Sequence, residues 1–519
     1  MKAATSTMLA ESYGSAEPLL FARGFLLWDN TSLGRPAILD RLRWQEHSDL
    51  PGGWMLAHAP LMTLATARYQ DGTVLILGEG VASDIDSSEP GDLARWVAAA
   101  ESDEQFQQRV DAISGRFAVF RVNEQQMRVQ NDVQGLRAVF HTDVTHACVL
   151  GSHVDLVGEV VRAPDTAFAS PTYHQRTNLR TPPGRHTTRH GVLALMPNTE
   201  LEMPSRQVRR IYPRTPRQQR STAEILPMVE RELATTLALL LAAGPPVVTS
   251  LSAGLDSRLT LALLRQHLDR VNFFTYDVAN VNNRANQHDT GDALALVARF
   301  GLAHTLINVE GSAPAEIRKV LAANRHRAHS PGLAVAYQQA FPRNTVHLRS
   351  NGNGTLTAWY QRGDWPAQPV TAEYRMQLAS QAKCHDLGVL DAFTDAWRAS
   401  EAGNVEALGH SGLDFAYAED RMGVWHQNIV QESDIAFETR VPFGSRRLVD
   451  LVLSAPLEDR MSGRILVDLI RRQWPEVLSV PINGVEVPVD GTGGLWEKTD
   501  KRSAQRRVLT RAQIMERSR

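Results

Sequence analysis

The stretch from residue 222 to residue 350 alternates short apolar segments with segments of helical periodicity, and this alternation constrains the fold more than any other feature. Four strands are predicted, at 247–251, 271–277, 304–310 and 345–350. Strands separated by helices of this length are typical of a parallel, doubly wound sheet, whose ligands bind at the carboxyl ends of the strands. From about residue 413 to residue 475 the pattern becomes mostly helical.

The first 205 residues have a different pattern, in which short strand-like runs alternate with turns and a few helical segments. This pattern indicates a separate domain of mixed α and β layers over residues 1–205. A segment rich in proline and arginine, without apolar periodicity, is predicted to form a linker over 206–221. The second predicted domain covers 222–490. A glycine-rich and then basic tail follows over 491–519, and we expect a solvated helix there rather than a phosphate- or partner-binding arm.

Composition excludes several classes of function. A formal net charge of −2 gives no overall field that would attract nucleic acid or an anionic membrane. The two cysteines, Cys148 and Cys384, have neither metal-binding nor redox spacing. No signal peptide is recognisable, and no apolar run is long enough to cross a bilayer. We therefore expect a cytoplasmic protein that acts on small molecules and binds neither nucleic acid nor membrane. The oligomeric state is left open.

The turn between the first predicted strand and its helix, Ser252–Ser257, has the sequence SAGLDS. Small residues let backbone N–H groups approach an anion, hydroxyl groups add donors, and the helix dipole favours negative charge. A phosphate group is therefore the expected ligand. Asp256 suits a magnesium ligand, because Mg²⁺ is usually held by one or two carboxylates together with substrate phosphates. The same residues also fit an ordinary turn in which Asp256 or Ser257 caps the helix.

The sequence SAGLDS resembles the SGGxDS pyrophosphate-binding loop of the PP-loop ATP pyrophosphatases, with Ala253 in place of one glycine. The chain as a whole resembles the asparagine synthetase family, which also contains β-lactam synthetases and lasso-peptide cyclases. Residues 113–159 resemble the later part of that family's glutaminase-type domain, and FETRVPF at 437–443 resembles its ExRxPF segment. The resemblance implies an N-terminal-nucleophile-hydrolase-like (Ntn) αββα sandwich, a PP-loop domain with a doubly wound parallel sheet, and a helical C-terminal part.

The resemblance also implies that ATP and Mg²⁺ are cofactors, with Asp256 as the magnesium ligand and a catalytic residue. It implies an ATP- and pyrophosphate-binding set consisting of Leu251, Ser252, Ala253, Gly254, Leu255, Asp256, Ser257, Arg258, Tyr276, Gly352, Asn353 and Gly354. Asp277 and Asp289 lie where the family's nucleotide site forms, although capping of the following helix explains Asp289 equally well. Glu438 and Arg440 match the family's ExR, and a structural ion pair would account for them as well.

Two departures from the family concern its chemistry. Glutamine-using members begin with a cysteine nucleophile after removal of Met1, whereas Lys2 follows Met1 here, so we expect no glutaminase activity. Aligned on Gly352 and Gly354, the family's GEGxDE loop reads GNGTLT, which puts Asn353 at the position of the first Glu and Leu356 at that of the Asp. An amide cannot act as a general base and a leucine cannot bind metal. Asp364 is the candidate replacement for the metal ligand.

A third departure is the absence, after residue 475, of the family's RxK triplet, whose lysine stabilises charge on the adenylate and pyrophosphate. Lys498 and Lys501, beyond a glycine-rich stretch that could close as a lid, are the candidate catalytic cations, and the alternative is that they are surface lysines. Near the expected acceptor site, Glu419 is predicted to be the base that deprotonates the amine. Asp420 and His426 are its alternatives, and the histidine also fits simple packing.

These residues predict an ATP- and Mg²⁺-dependent ligase that adenylates a small-molecule or peptide carboxylate and couples it to an amine, releasing AMP and pyrophosphate. The resemblance places such an enzyme in natural-product biosynthesis. Two alternatives remain open: a non-catalytic nucleotide-binding partner subunit, and an asparagine-synthetase-type enzyme that uses ammonia.

Overall fold

The computed structural model describes residues 8–143, 147–242, 244–278, 284–309, 313–324, 330–352, 354–363, 365–489, 494–496 and 508–517. Within them, the first half of the chain forms two six-stranded antiparallel sheets, and the second half forms one five-stranded parallel sheet. The predicted mixture of a layered N-terminal part and a parallel-sheet part is confirmed.

The strands of the first half are, in chain order, β1 (Phe25–Asp29), β2 (Gln45–His47), β3 (Trp54–His58), β4 (Leu64–Tyr69), β5 (Gly72–Ala82), β6 (Ile113–Val122), β7 (Met127–Asn131), β8 (Phe140–Thr142), β9 (Val149–Gly151), β10 (Val192–Ala194), β11 (Thr199–Met203) and β12 (Gln207–Arg210). One sheet has the order β10-β8-β9-β1-β3-β2, and the other has the order β12-β11-β7-β6-β5-β4.

The two sheets pack face to face because apolar residues occupy both faces of their central strands. In β6, Ala118 and Phe120 point toward the other sheet, whereas Phe117 and Val119 point outward against helices. Successive side chains of a strand lie on opposite faces, so a strand that is apolar at every position is buried on both sides.

Helices cover the outer faces of both sheets. The helices of this half are α1 (Asn30–Leu33), α2 (Leu39–Leu42), α3 (Pro90–Ala98), α4 (Asp103–Ala112), α5 (Val154–Val160) and α6 (Tyr173–Thr177), of which α6 packs instead on helices of the second half. Helices α3 and α4 pack on the sheet that contains β6, and α5 packs on the sheet that contains β1. The layers therefore follow the order helix, sheet, sheet, helix, which confirms the predicted αββα sandwich.

The predicted linker needs a correction at its start. Strand β12 lies inside 206–221, and it pairs with β11 as the edge of its sheet. Its residues alternate, since Val208 packs on the inter-sheet core while Arg209 pairs across the strands with Glu200. Two of the four residues are arginines whose long side chains hide this period-two pattern in the sequence.

The strands of the second half are β13 (Val247–Ser250), β14 (Val271–Val278), β15 (His304–Val309), β16 (Val346–Leu348) and β17 (Glu438–Arg440). Their order is β15-β14-β13-β16-β17. The first four match the predicted strands, and β13 lies at the centre of the sheet. The order reverses at β13, which is where a doubly wound sheet opens a crevice at its carboxyl edge.

The helices of this half are α7 (Thr222–Ala242), α8 (Leu255–Leu263), α9 (Arg284–Phe300), α10 (Ala315–Ala323), α11 (Pro331–Ala340), α12 (Ala372–Ser380), α13 (Leu387–Ala399), α14 (Gly403–Ala407), α15 (Gly412–Ala416), α16 (Gln427–Ser433), α17 (Arg446–Leu453), α18 (Leu457–Met461), α19 (Arg464–Gln473) and α20 (Arg511–Arg517). A π-helical stretch, Tyr417–His426, joins α15 to α16. The predicted helical region after residue 413 is confirmed.

Buried ion pairs join the two halves. Arg116 of β6 holds both carboxylate oxygens of Asp434, and Arg137 lies 2.7 Å from a carboxylate oxygen of Glu438. Arg440 reaches Glu79 of β5 at 3.1 Å. Glu438 and Arg440 match the family's ExR. Their contacts favour the interpretation that both residues form structural ion pairs. Charges this deeply buried must be paired, and here the partner of each lies in the other half.

The described part of the tail is docked rather than solvated. Ile514 of α20 is buried in a cluster with α12 and α13, and the backbone of Leu509 exchanges two hydrogen bonds with the side chain of Gln377. Among the described residues, no helix combines the length and the apolar composition that crossing a bilayer requires.

Candidate nucleotide-binding site

The loop Ser252–Ser257 joins the central strand β13 to the start of α8. On either side, β14 and β16 run parallel to β13, so the segments that follow all three strands meet at one edge of the sheet. This is the edge at which ligands of parallel sheets bind.

Internal hydrogen bonds fix the shape of the loop. The Ser252 and Ser257 hydroxyls lie 3.1 Å apart, and the N–H of Gly254 donates to the Ser252 hydroxyl. Gly254 is the N-cap of α8 and supplies no side-chain cap, whereas Asp256 and Ser257 lie inside the first helical turn. The capping interpretation is therefore wrong for both residues. An uncapped helix N-terminus keeps backbone donors for an anion.

A carboxylate already occupies one donor of the loop. The N–H of Ala253 donates to Oδ1 of Asp289 at 2.5 Å. Burial raises the pKa of Asp289, and the hydrogen bond from Ala253 opposes that rise. Asp289 lies inside α9 and does not cap it. One backbone N–H of the loop thus donates to a carboxyl oxygen of the protein itself.

Asp256 faces an arginine that the sequence analysis missed. Burial lowers the pKa of Arg362 to about 10, and the Asp256 carboxylate acts against that fall. The guanidinium carbon of Arg362 lies 3.6 Å from the ring centre of Trp496 and 4.8 Å from that of Trp359. The charge of Asp256, in the first turn of α8, is therefore felt by a guanidinium group that stacks on two aromatic rings.

Tyr417 closes another side of this cluster. Burial raises the pKa of Tyr417, and Arg421 and Arg362 oppose the rise. Its hydroxyl lies so close to Gly354 that a Cβ on that residue would stand 2.1 Å away. The Tyr417 hydroxyl therefore leaves no room for a side chain at position 354. This steric reason for a glycine differs from the phosphate binding that was predicted for Gly354. Gly352, two residues earlier, has a φ of 130° and accepts a hydrogen bond from Gln134 through its carbonyl.

The end of β14 and the segment after β16 add an aromatic ring and a guanidinium group to this edge of the sheet. Tyr276 is 44% exposed near the carboxyl end of β14, next to the exposed Asp277. Arg349 follows β16 and donates from Nε to Nε2 of His426 at 2.7 Å. An exposed aromatic ring at this edge can stack on a base.

Two residues of the predicted nucleotide-binding set point away from the crevice. Leu251 is buried in the core, and its backbone bonds to β14 and Thr275. The Arg258 guanidinium donates to the carbonyls of Val477, Val480 and Pro481, and burial lowers its pKa to about 10. Arg258 therefore links α8 to the segment that follows α19. In that segment, the backbone N–H of Asn483 also donates a hydrogen bond to the carbonyl of Ala253.

The predicted base, Glu419, is fully buried between two arginines. Arg210 reaches Oε1 at 2.8 Å, and Arg375 reaches Oε2 at 3.0 Å. Burial raises the pKa of Glu419, but the two arginines outweigh it and leave the pKa below its usual value. A base needs a free lone pair and a pKa near the working pH, so this environment favours a structural role. His426 is also buried, and its pKa lies well below its usual value.

Leu356 stands at the position of the family's metal-ligating Asp, and its surroundings suit a leucine rather than a metal ligand. Leu356 packs in the core, and the carbonyls of Leu356 and Thr355 accept hydrogen bonds from Arg460. Among the described ranges, no group of three or more His, Cys, Asp or Glu side chains could hold a metal ion. Four predicted residues lie outside the described residues: Asn353, Asp364, Lys498 and Lys501.

Arg362, Tyr417 and Trp496 could not be found from the sequence, because they approach the loop from three separate segments. The only signal was composition, since the segment TAWYQRGDW at 357–365 is rich in aromatic residues. The family's RxK lysine lies after the position that corresponds to residue 475, whereas Arg362 lies shortly after β16.

Comparison with known families supports the interpretation of the loop. Residues 228–348 match the family described as asparagine synthase. This segment of the chain is similar to that family. The match includes α8, the loop and strands β13 to β16, and it supports an ATP-dependent carbon–nitrogen ligase.

Solved structures show weaker similarity to this asparagine synthase-like chain. Glutamine phosphoribosylpyrophosphate amidotransferase from B. subtilis is 13% identical over 66% of this chain and 73% of its own, with a TM-score of 0.23. NAD⁺ synthetase from Acinetobacter baumannii is 17% identical over 33% and 32%, with a TM-score of 0.18. NMN synthetase from Francisella tularensis is 14% identical over 42% and 94%, with a TM-score of 0.19. No curated protein sequence matches the chain.

Proposed function

We propose that this protein adenylates a substrate carboxylate with ATP and transfers the acyl group to an amine, forming an amide and releasing AMP and pyrophosphate. The carboxylate oxygen attacks the α-phosphorus, and the bond from that phosphorus to the pyrophosphate breaks. The amine then attacks the acyl carbon, and AMP leaves. Conversion of the carboxylate into an acyl-adenylate supplies a good leaving group, and the protein contributes orientation and charge stabilisation.

The observation that carries this proposal is the loop at the carboxyl end of β13. The N–H of Ala253 holds a carboxylate oxygen, the N-cap of α8 is free of side-chain caps, and Asp256 lies in the first turn beside Arg362. Anion donors, a carboxylate and a cation within one crevice are what a magnesium–pyrophosphate group requires.

The donor set fits a magnesium ion that is bound mainly by the nucleotide. Asp256 is the single carboxylate of the loop, and Leu356 lies in the core. Mg²⁺ is commonly held by one or two carboxylates plus phosphate oxygens, so Asp256 is the residue that would hold it. When bound, the ion would neutralise phosphate charge, and Asp256 would fix its position at the helix N-terminus.

We infer that the amine does not come from glutamine through a cysteine of this chain. Cys148 and Cys384 are both buried, and burial raises the pKa of each thiol. A nucleophilic cysteine needs exposure and a lowered pKa. The amine is then carried by the substrate, by a second small molecule or by ammonia. Resemblance to β-lactam synthetases and lasso-peptide cyclases favours natural-product biosynthesis as the setting.

The alternative is a partner subunit that binds nucleotide without turnover, and the observation in its favour is the core position of Leu356. A carboxylate at the first turn of α8 favours the enzyme, because a scaffold that does not turn over ATP has less need of a magnesium ligand beside the phosphate groups.

Carboxylate-dependent ATP–pyrophosphate exchange with Mg²⁺ tests the proposal. Wild type is compared with Asp256→Ala over a panel of amino acids, β-amino acids and peptides. The matched control is Asp269→Asn, because Asp269 is exposed just before β14, at the opposite edge of the sheet. We expect exchange in wild type and the control and at least a hundredfold loss in Asp256→Ala. Silence across the panel, with ATP still bound, would favour the non-catalytic subunit.

A further inference from the structure

Arg362 is held by two aromatic rings and one hydrogen bond. The rings of Trp359 and Trp496 lie on its guanidinium group, at 4.8 and 3.6 Å from ring centre to guanidinium carbon. Its Nη2 donates to the Thr357 hydroxyl at 3.3 Å. Stacking on aromatic faces leaves the edge of a guanidinium group available for hydrogen bonds in its own plane.

The position of Trp496 is itself fixed by two contacts. Its backbone N–H donates to the carbonyl of Ser462 at 3.0 Å. Its ring fills the space beside Gly463, where a Cβ would stand 2.7 Å from a ring carbon. The same Cβ would lie 3.2 Å from Leu255, the first residue of α8. Trp496 thus connects Arg362 to the helix that carries Asp256.

One donor of this arginine is buried and has no partner among the described residues. Nε of Arg362 is buried and makes no hydrogen bond within the described part of the chain. A guanidinium group carries its positive charge at neutral pH. A buried, charged donor without a partner costs free energy unless a ligand supplies the acceptor.

We propose that Arg362 is the cation that binds the pyrophosphate group in this site, in place of the lysine of the family's missing RxK triplet. This inference rests on the proposed function. The two tryptophans stack on the guanidinium, and Trp496 links it to Leu255 at the start of α8, so a pyrophosphate group bound at the loop would lie within its reach. A guanidinium group can donate two parallel hydrogen bonds to a phosphate, which an ammonium group does less specifically.

Binding of inorganic pyrophosphate and of AMP, each measured by calorimetry on the full chain with Mg²⁺, tests the proposal. The variants are Arg362→Gln and Arg362→Lys. The matched control is Arg265→Gln, because Arg265 also stacks on a tryptophan, Trp474, at 5.4 Å but outside the crevice. We expect Arg362→Gln to weaken pyrophosphate binding at least tenfold and Arg362→Lys about threefold, while AMP binding changes less than twofold. Arg265→Gln should match wild type.

Three results would overturn the proposal: unchanged pyrophosphate binding in Arg362→Gln, equal weakening of pyrophosphate and AMP, or no pyrophosphate binding by wild type. If Arg362→Gln does not fold, the ratio of the two affinities in Arg362→Lys decides instead. Pyrophosphate binding that depends on Arg362, without any carboxylate-dependent exchange, would refute the proposed function and leave this inference standing. If exchange occurs but pyrophosphate binding does not depend on Arg362, the proposed function stands and this inference is refuted.

Discussion

Replacing Glu419 with glutamine separates a structural role from a catalytic one. Glu419 is fully buried, and its two oxygens bind Arg210 of β12 and Arg375 of α12. Glutamine has nearly the same shape but carries no charge, so both guanidinium groups lose the negative charge of Glu419. Removing one partner of a buried ion pair costs about 3–5 kcal/mol, because the charge that remains stays uncompensated.

The expected loss lies near the lower end of that range. Arg375 keeps Asp420 at 3.3 Å, and Arg210 keeps hydrogen bonds to the carbonyls of Ser400 and Tyr212. We therefore expect Glu419→Gln to lower the free energy of unfolding by about 3 kcal/mol at pH 7. Urea unfolding followed by tryptophan fluorescence measures this quantity. The control is Glu476→Gln, at an exposed position, which should change stability by less than about 0.5 kcal/mol.

The same carboxylate predicts a pH dependence. The pKa of Glu419 is lower in the folded protein than in the unfolded chain, since the arginines outweigh burial. Its contribution to stability is therefore complete above its unfolded pKa and is lost as the pH falls through its folded pKa. Wild type should lose this contribution in acid, and Glu419→Gln should not. A variant with wild-type stability but at least a hundredfold lower kcat would refute the structural interpretation and restore Glu419 as the base.

Three further substitutions test the crevice and its surroundings. Gly354→Ala should lower kcat/KM about tenfold and stability by about 1–3 kcal/mol, measured by kinetics and urea unfolding, because its Cβ collides with the Tyr417 hydroxyl. Wild-type values for this variant would show that the ring moves freely. Tyr276→Ala should raise the KM for ATP about tenfold while Tyr276→Phe does not, since stacking on a base needs only the ring; equal effects would exclude stacking. Burial raises the pKa of Asp420 to about 6, so wild type should lose stability as the pH rises from 4 to 6. Urea unfolding over this pH range should show a smaller loss for Asp420→Asn. The same dependence of stability on pH in both proteins would contradict this prediction.

Much of the fold was predictable because its signals are local. The alternation of strands and helices around β13, β14, β15 and β16 is visible as a change of apolar periodicity within a few residues. Strand β12 was missed because Arg209 and Arg210 are adjacent and so occupy both faces of the strand, which leaves hydrophobicity without a period. Its assignment depends on the neighbouring strand β11, with which it pairs.

The candidate site was only partly predictable. The loop at Ser252–Ser257 was recognisable because strand, small residues and helix follow one another directly in the chain. The part played by Glu419 was not, because its acidic side chain near an expected acceptor site fits a base and a structural ion pair equally well. Arg210 and Arg375, which decide between them, are distant in sequence.

The sequence by itself determined the kinds of layers, the position of the anion-binding loop, and the absence of the family's acidic and RxK residues at their usual places. Each of these depends on residue type and on spacing within one short segment. Only the tertiary structure decided that Arg362 lies beside Asp256, that Trp359 and Trp496 hold it, and that Leu356 belongs to the core. These contacts join segments far apart in the chain, and which of them meet is set by the packing of whole helices and sheets.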